Sequence, residues 1–233
     1  MSQTVLIVDD DRDIARLAEI YLKNEGYSVL QAQDGIEALA VIDRVPVDLI
    51  VLDIMMPRMD GMEFCRQVRS DSQVPILMLS AKVQDMDKIT GLMTGADDYM
   101  TKPFNPLELN ARVKSLLRRA NYIPSGKEHA SLQIGSWIID KKGHQASIHG
   151  KEIKLTSSEF DILYLLAKNQ GTVFSSEEIF KQLWQGDSMG SNKTVMVHIK
   201  NLRDKMQAAS PGDALIQTVW GVGYKYDDSG VTS

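Results

Sequence analysis

Val5-Leu6-Ile7-Val8-Asp9-Asp10-Asp11 decides the fold: four apolar residues without interruption, then three carboxylates. A continuous apolar run of that length predicts a strand buried on both faces, as in a parallel sheet covered by helices. The same alternation continues downstream. Ile14, Leu17, Ala18, Tyr21 and Leu22 recur at helical spacing until Gly26 closes the segment, Val29-Leu30 marks a second strand, and Ile36, Leu39 and Ala40 mark a second helix. Leu49-Ile50-Val51-Leu52 predicts a third strand, with Met62, Cys65 and Val68 on the helix after it. Pro75-Ile76-Leu77-Met78-Leu79 predicts a fourth, followed by a helix through Ile89, Leu92 and Met93 to Gly95. Asp98-Tyr99-Met100-Thr101 reads as a short fifth strand, and Leu109, Val113, Leu116 and Leu117 stripe a last helix. Five βα units within residues 1–120 predict a doubly wound parallel sheet with helices on both faces.

In such sheets the functional crevice lies at the carboxyl ends of the strands. The polar residues stand there: Asp9-Asp10-Asp11 after the first run, Asp53 after the third, Ser80 after the fourth and Lys102 after the fifth. Neighbouring strands are about 4.8 Å apart, so the first and third strand ends can face their carboxylates toward each other. Clustered carboxylates repel one another unless a cation neutralises them, and an all-oxygen ligand set suits Mg²⁺. A metal on one side, the Lys102 ammonium on the other and the Ser80 hydroxyl would together suit a phosphoryl group carried on Asp53. Taken singly, each acidic residue could merely cap the helix that follows, as Asp11 is expected to do. The ordered set at four strand ends is what favours a site. The Lys102-Pro103 bond is compatible with a cis or a trans turn.

Composition limits the remaining options. The 233 residues leave room for two modest domains, 43% of them apolar and 24% charged, which excludes a disordered chain or a rod. No stretch is long and apolar enough for a membrane span, and no basic flank and apolar run together resemble a signal peptide. One cysteine, Cys65, fits a reducing compartment, and a cytoplasmic protein is expected. The net charge of −5 argues against nucleic acid only until it is divided. Residues 1–120 hold 19 Asp and Glu against 14 Lys and Arg, whereas residues 121–233 hold 12 of each.

Residues 121–131 mix Pro, Ser, Gly and charge without periodicity and read as a linker. Beyond it, short strands (Leu132–Ile134, Trp137–Ile139, Gln145–Ile148, Glu152–Leu155) are separated by turn dipeptides. Thr156-Ser157-Ser158-Glu159 resembles a capping box opening a helix through Phe160, Leu163 and Ala167. A second helix starts at Ser175 and ends near Trp184, Gln185–Asn192 is a polar loop, a third helix runs from Lys193 to Met206, and a hairpin closes around Gly221 and Gly223. Three helices between strands predict an α+β winged helix-turn-helix. In the third helix Val195, Ile199, Leu202 and Met206 form the expected inward stripe, leaving Lys193, Thr194, Val197, His198, Lys200, Asn201 and Arg203 for phosphates and base edges. Lys151, Lys154 and Lys225 could add backbone contacts. An ordinary solvated basic face would look the same.

The segments Leu6-Ile7-Val8-Asp9-Asp10, Leu52–Pro57, Gly95–Tyr99 and Thr101-Lys102-Pro103-Phe104 resemble the receiver domain of bacterial two-component response regulators, a CheY/flavodoxin-like fold. Leu155–Phe160, Thr194–Arg203 and Thr218–Tyr224 resemble the OmpR/PhoB effector domain, and the Asp87–Leu92 and Asn105–Arg112 segments look like the VanR-type branch. The resemblance implies a receiver over residues 1–120, the linker at 121–131, a winged-helix DNA-binding domain over 132–228 and a tail at 229–233. It also implies Mg²⁺-dependent phosphoryl transfer from a sensor histidine kinase to Asp53. Asp9, Asp10, Asp53 and the Met55 carbonyl would hold the metal, and Ser80 and Tyr99 would form a switch pair. Lys193–Lys205 becomes the recognition helix, Gly221–Gly223 the wing tip, and Gln185–Asn192 a loop that touches RNA polymerase in some members. Phosphorylated receivers would form a homodimer, with Lys88 against Glu108 and Asp97 or Asp98 against Arg112, and would bind promoter DNA as tandem half-sites about one helical turn apart.

The sequence departs from the family in two places. A compact Lys200 with Asn201 stands where many members carry Arg, and Lys lacks the bidentate fork. Trp220 stands where Arg is frequent in the wing, which leaves open whether it contacts DNA or packs under the hairpin. Beyond self-phosphorylation and self-dephosphorylation, no enzyme activity is expected. The competing readings are an aspartyl-phosphate phosphatase or an FMN carrier on the same doubly wound fold, and a phosphate-independent DNA-binding module with a vestigial receiver. The three Asp residues after the first strand disfavour flavin phosphate, and the complete Asp-Asp-Ser-Lys set disfavours the vestigial receiver.

Overall fold

The computed structural model describes residues 2–81, 94–120, 131–184, 191–211 and 215–227. The chain divides into two compact units, Met1–Arg118 and Arg119–Ser233. The helix expected through Ile89 to Met93, the linker up to residue 130 and most of the loop expected at Gln185–Asn192 lie outside the described residues.

In the first unit the elements alternate: β1 (Thr4–Val8), α1 (Arg12–Asn24), β2 (Ser28–Ala32), α2 (Gly35–Ile42), β3 (Leu49–Asp53), α3 (Gly61–Asp71), β4 (Ile76–Ser80), β5 (Asp98–Thr101) and α4 (Pro106–Ala120). The five strands are parallel in the order β2-β1-β3-β4-β5. β1, β3 and β4 lie almost wholly inside, which explains why their sequences are unbroken apolar runs. Val5, Ile7, Leu49, Val51, Leu77 and Leu79 meet Ala15, Ala18 and Leu22 of α1 and Leu109, Val113 and Leu116 of α4 in one core. The helix starts are written in side chains: Asp11, Asp34 and Asp60 each accept hydrogen bonds from the first-turn amides of α1, α2 and α3.

The strand order reverses at β1, whose neighbours are β2 and β3, and there the following helices leave on opposite faces and open a crevice. Val8 pairs with Leu52, so the next residues, Asp9 and Asp53, emerge side by side. Asp53 pairs with Leu79 and Ser80 with Thr101, which places Ser80 and Lys102 one step further along their own strands. The Lys102-Pro103 peptide is cis.

The second unit carries a four-stranded antiparallel sheet, β6 (Ser131–Ile134), β7 (Trp137–Asp140), β8 (Gln145–Ile148) and β9 (Lys151–Ile153), then α5 (Ser157–Lys168), α6 (Ser176–Trp184), α7 (Ser191–Ala209) and the hairpin β10 (Ile216–Val219) and β11 (Gly223–Tyr226). The capping box is present, with Thr156 accepting from the Glu159 amide and Glu159 accepting from the Thr156 amide. Two boundaries move. β9 stops at Ile153 instead of Leu155, and α7 starts at Ser191 and extends to Ala209, longer than the periodicity alone predicts. Trp137, Phe160, Leu163, Ile179, Val195, Ile199, Leu202 and Tyr226 fill its core.

Candidate functional site

Asp9, Asp10 and Asp53 converge at the crevice of the first unit, with one carboxylate oxygen from each lying within 4.8 Å of the others. Asp9 and Asp53 are buried while Asp10 faces solvent. The Lys102 ammonium sits between the buried pair, 2.7 Å from Asp9 Oδ2 and 3.0 Å from Asp53 Oδ2. Asp9 Oδ1 also accepts from the Asp11 amide at 3.0 Å. Burial pushes both carboxyls above the ordinary carboxylate range; the hydrogen bond and charge of Lys102 work in the opposite direction. For Asp53, the Met55 and Ile54 amides also favour the charged form. Ser80 is buried at the end of β4, and the Lys102 amide donates to its carbonyl at 2.7 Å.

One close approach was not read from the sequence. A Cβ at Gly61 would stand 2.1 Å from the Asp53 carbonyl oxygen, so only glycine lets the start of α3 come against the backbone of Asp53. The Gly61 amide donates to the Ile54 carbonyl at 3.0 Å and ties the loop shut. Asp60-Gly61 ahead of a helix was the available signal.

A set of three carboxylates with one solvent-facing member and a fixed ammonium is chemically suited to a hard divalent cation and to a transferable anion. Two of the oxygens are buried, and Asp9 Oδ2 has Lys102 as its partner among the described residues. The donor set therefore fits Mg²⁺. Met55 turns its side chain to solvent beside this cluster. Tyr99, expected as the switch aromatic, is buried on β5, where its amide donates to Asp98 Oδ1 at 2.8 Å.

The expected interface residues separate. Asp97 is 0% exposed and is held by Arg69 at 2.9 Å and by the Ile76 amide at 3.0 Å, so it is an internal brace of the first unit and not an interface residue. Arg112 pairs within the chain with Asp98 at 2.8 Å and Glu108 at 2.7 Å, where a pairing between copies was expected. Lys88 lies outside the described residues.

In the second unit α7 packs against α5 and α6. That double contact buries more of the helix than its apolar stripe suggests. Thr194, Val197 and His198, expected to meet DNA, are buried, with His198 stacked at 5.7 Å on the Trp184 ring. They are corrected to core positions. Arg203 is also committed inside: its guanidinium donates to the Ile216 carbonyl at 3.0 Å and to Thr218 Oγ1 at 2.9 Å, tying α7 to β10. Lys225 pairs with Asp227. Lys193 and Lys200 remain on the exposed face, Asn201 is half-buried, and Met196, 54% exposed, joins them although the sequence reading passed over it. Lys193, Met196 and Lys200 follow at i, i+3 and i+7, a periodicity that could have identified it. Of the two readings left open for Trp220, packing under the hairpin is not what the structure has: the residue is 90% exposed.

Among the described residues no helix is long and apolar enough to cross a membrane. The family model described as "Response regulator receiver domain" matches residues 5–114, and that described as "Transcriptional regulatory protein, C terminal" matches residues 150–226. The chain is 45% identical over 227 residues to the regulatory protein VanRc of Enterococcus gallinarum, covering 96% of this chain and 98% of that protein. It is 42% identical over 228 residues to the transcriptional regulatory protein ResD of Bacillus subtilis, covering 96% and 95%. Among solved structures it is similar to DrrB, an OmpR/PhoB homologue from Thermotoga maritima, at 32% identity and a TM-score of 0.52, covering 97% of this chain and all of that one.

Proposed function

The chain belongs to the response regulators of two-component systems that join a receiver domain to an OmpR/PhoB-type DNA-binding domain, and on that premise we propose that Asp53 accepts a phosphoryl group and that promoter DNA binding is the output. The observation that carries the reading is the Asp9, Asp10 and Asp53 cluster with Lys102 bridging its two buried members.

An Asp53 carboxylate oxygen attacks the phosphorus of a sensor kinase phosphohistidine. The P–O bond forms as the P–N bond breaks, and the imidazole nitrogen leaves with the electron pair and is protonated. Asp9, Asp10, Asp53 and the Met55 carbonyl would hold Mg²⁺, which would supply charge neutralisation to the phosphoryl oxygens. Lys102, already placed against Asp53, exchanges part of its carboxylate pairing for a phosphoryl oxygen, and the Ser80 hydroxyl donates to another. Tyr99, buried on β5, follows the movement of Ser80 as the second member of the switch pair. Water attack on the same phosphorus returns the free carboxylate, so self-phosphorylation and self-dephosphorylation are the chemistry of this chain.

Phosphorylated receivers pair as a homodimer through a surface that includes Glu108, which is exposed on α4. The dimer presents two α7 helices to tandem half-sites, where Lys193, Lys200 and Asn201 make the polar contacts and Met196 meets thymine methyl groups. Lys225 at the wing adds a phosphate contact, and RNA polymerase is the partner proposed for the Gln185–Asn192 segment. The cytoplasm, where a kinase phosphohistidine and the chromosome are both accessible, is the compartment this function requires.

Mass mapping of the full chain after incubation with phosphoramidate and Mg²⁺ tests the acceptor. A phosphoryl increment on the peptide holding Asp53, absent in Asp53→Asn and absent in chelator, is the expected result. An equal increment in Asp53→Asn overturns the assignment.

A further inference from the structure

Arg58 takes a backbone conformation that long side chains avoid. Its φ is +64°, in the left-handed region that glycine enters freely and other residues rarely do. The Met59 amide donates to the Pro57 carbonyl at 2.8 Å across it, so Arg58 is the middle of a three-residue turn of the rarer, strained hand. Its side chain shows what holds it there. The guanidinium donates to Asp34, a residue only 1% exposed. Asp34 Oδ1 accepts from the Ile36 and Glu37 amides at 2.9 and 3.1 Å, and Oδ2 takes Arg58. Among the described residues Arg58 is the cation paired with this buried carboxylate. A buried charge deprived of such a partner is costly, so the pair is more than a loose surface contact.

The ion pair joins two loops at the strand ends that carry the acidic cluster. Asp34 lies in the loop after β2, and Ala32 at the end of that strand accepts from the Asp9 amide at 3.1 Å. Arg58 lies in the loop from β3 to α3, whose Met55 and Ile54 amides bond the Asp53 carboxylate. A second contact runs beside the pair. The Gly35 amide donates to the Met59 carbonyl at 3.3 Å, and a Cβ at Gly35 would stand 2.6 Å from the Met59 side chain. The β3–α3 loop is thus closed at its base by Gly61 on Ile54 and clasped at its tip to the start of α2. Met55 lies between those two fastenings.

We propose that Arg58 is a positioning residue for the cation site and acts through Asp34. The ion pair fixes the loop tip against α2 and thereby keeps Met55 and the Asp53 carboxylate in place before a cation arrives. Ligands ordered in advance lose less freedom on binding, so the affinity of the site depends on a residue that touches no cation. An exposed ion pair with no such role would shift stability slightly and leave cation affinity alone. The inference rests on the ligand set proposed above and adds the residue outside it that holds the set in shape.

The test is Mn²⁺ binding to the unphosphorylated full chain, read from the electron paramagnetic resonance of the free ion. Arg58→Ala is expected to raise the Kd about tenfold, the lower end of the usual effect of losing a group that orients metal ligands. Asp34→Asn keeps an oxygen for the α2 cap and should weaken binding by a similar factor, and the double variant no more than either single one. Arg58→Lys, which keeps the charge, restores part of the affinity. Arg58→Gly relaxes the backbone but lacks the side chain. It should melt higher than Arg58→Ala and yet bind Mn²⁺ as weakly, a split that a purely structural role would not produce. The Mg²⁺ concentration for half-maximal phosphorylation by phosphoramidate should rise in step with the Kd. An unchanged Kd in Arg58→Ala, or wild-type affinity in Arg58→Gly, overturns the inference and leaves the cation site standing. Asp10→Ala tests the site itself: if that variant binds Mn²⁺ as wild type does, the proposed ligand set fails, and the positioning role of Arg58 with it.

Discussion

Lys102 Nζ lies 3.0 Å from Asp53 Oδ2, and the same ammonium reaches Asp9 Oδ2 at 2.7 Å. One cation thus holds two buried carboxylates that otherwise repel each other. Removing it should expose the repulsion. Lys102→Ala is expected to lower the unfolding free energy in chelator by about 3 kcal/mol, the usual scale for breaking a buried pair by deleting one partner. It should also abolish phosphorylation by phosphoramidate. Urea unfolding and mass mapping check the two effects separately.

Burial raises the Asp53 pKa, which fixes the sign of a stability effect. A carboxyl raised in the folded state binds its proton more tightly there than in the unfolded chain. It contributes stability below its ordinary value and loses that contribution as pH rises through the raised one. In chelator at neutral pH, Asp53→Asn is therefore expected to melt higher than wild type. The gap should close as pH falls below the ordinary carboxylate range. A gap that widens on acidification contradicts the burial account.

Gly61→Ala places a methyl group 2.1 Å from the Asp53 carbonyl oxygen, a separation that backbone must move to relieve. A loss of about 2 kcal/mol in stability is expected, within the range for overpacking. Phosphorylation should slow as well, because the displaced backbone carries the acceptor. Thermal melts paired with phosphoramidate time courses measure both.

On α7 the exposed and buried residues should behave as two classes. Lys193→Ala and Lys200→Ala are each expected to reduce the salt slope of DNA binding by about one with stability unchanged. Val197→Ala is expected to cost about 2 kcal/mol of stability, since the side chain is buried. Arg203→Ala should act through the wing, weakening binding while releasing the bonds to Ile216 and Thr218.

The receiver site was legible because its chemistry is tied to strand ends. Once three apolar runs and the short fifth strand are recognised as parallel strands, register alone brings the ends of β1, β3, β4 and β5, with Asp9, Asp53, Ser80 and Lys102, to one edge of the sheet. Asp97 was misread for the opposite reason. Its partner Arg69 lies on α3, 28 residues earlier, and no local pattern announces that pairing. Thr194, Val197 and His198 were misread because a single amphipathic stripe implies one packing partner, whereas α7 has α5 and α6 on two sides. Trp220 could not be placed from the sequence, because a large apolar residue ordinarily prefers the interior. A turn corner overrides that preference, since the backbone points the side chain outward whatever its polarity.

In the proposed function a phosphoryl group on Asp53 controls DNA binding. Titration of a duplex selected in vitro by the full chain compares wild type with Asp53→Asn, with and without phosphoramidate and Mg²⁺. The phosphodonor is expected to tighten binding by wild type alone, and chelator to remove the gain. Identical affinities for the two proteins under both conditions would contradict it.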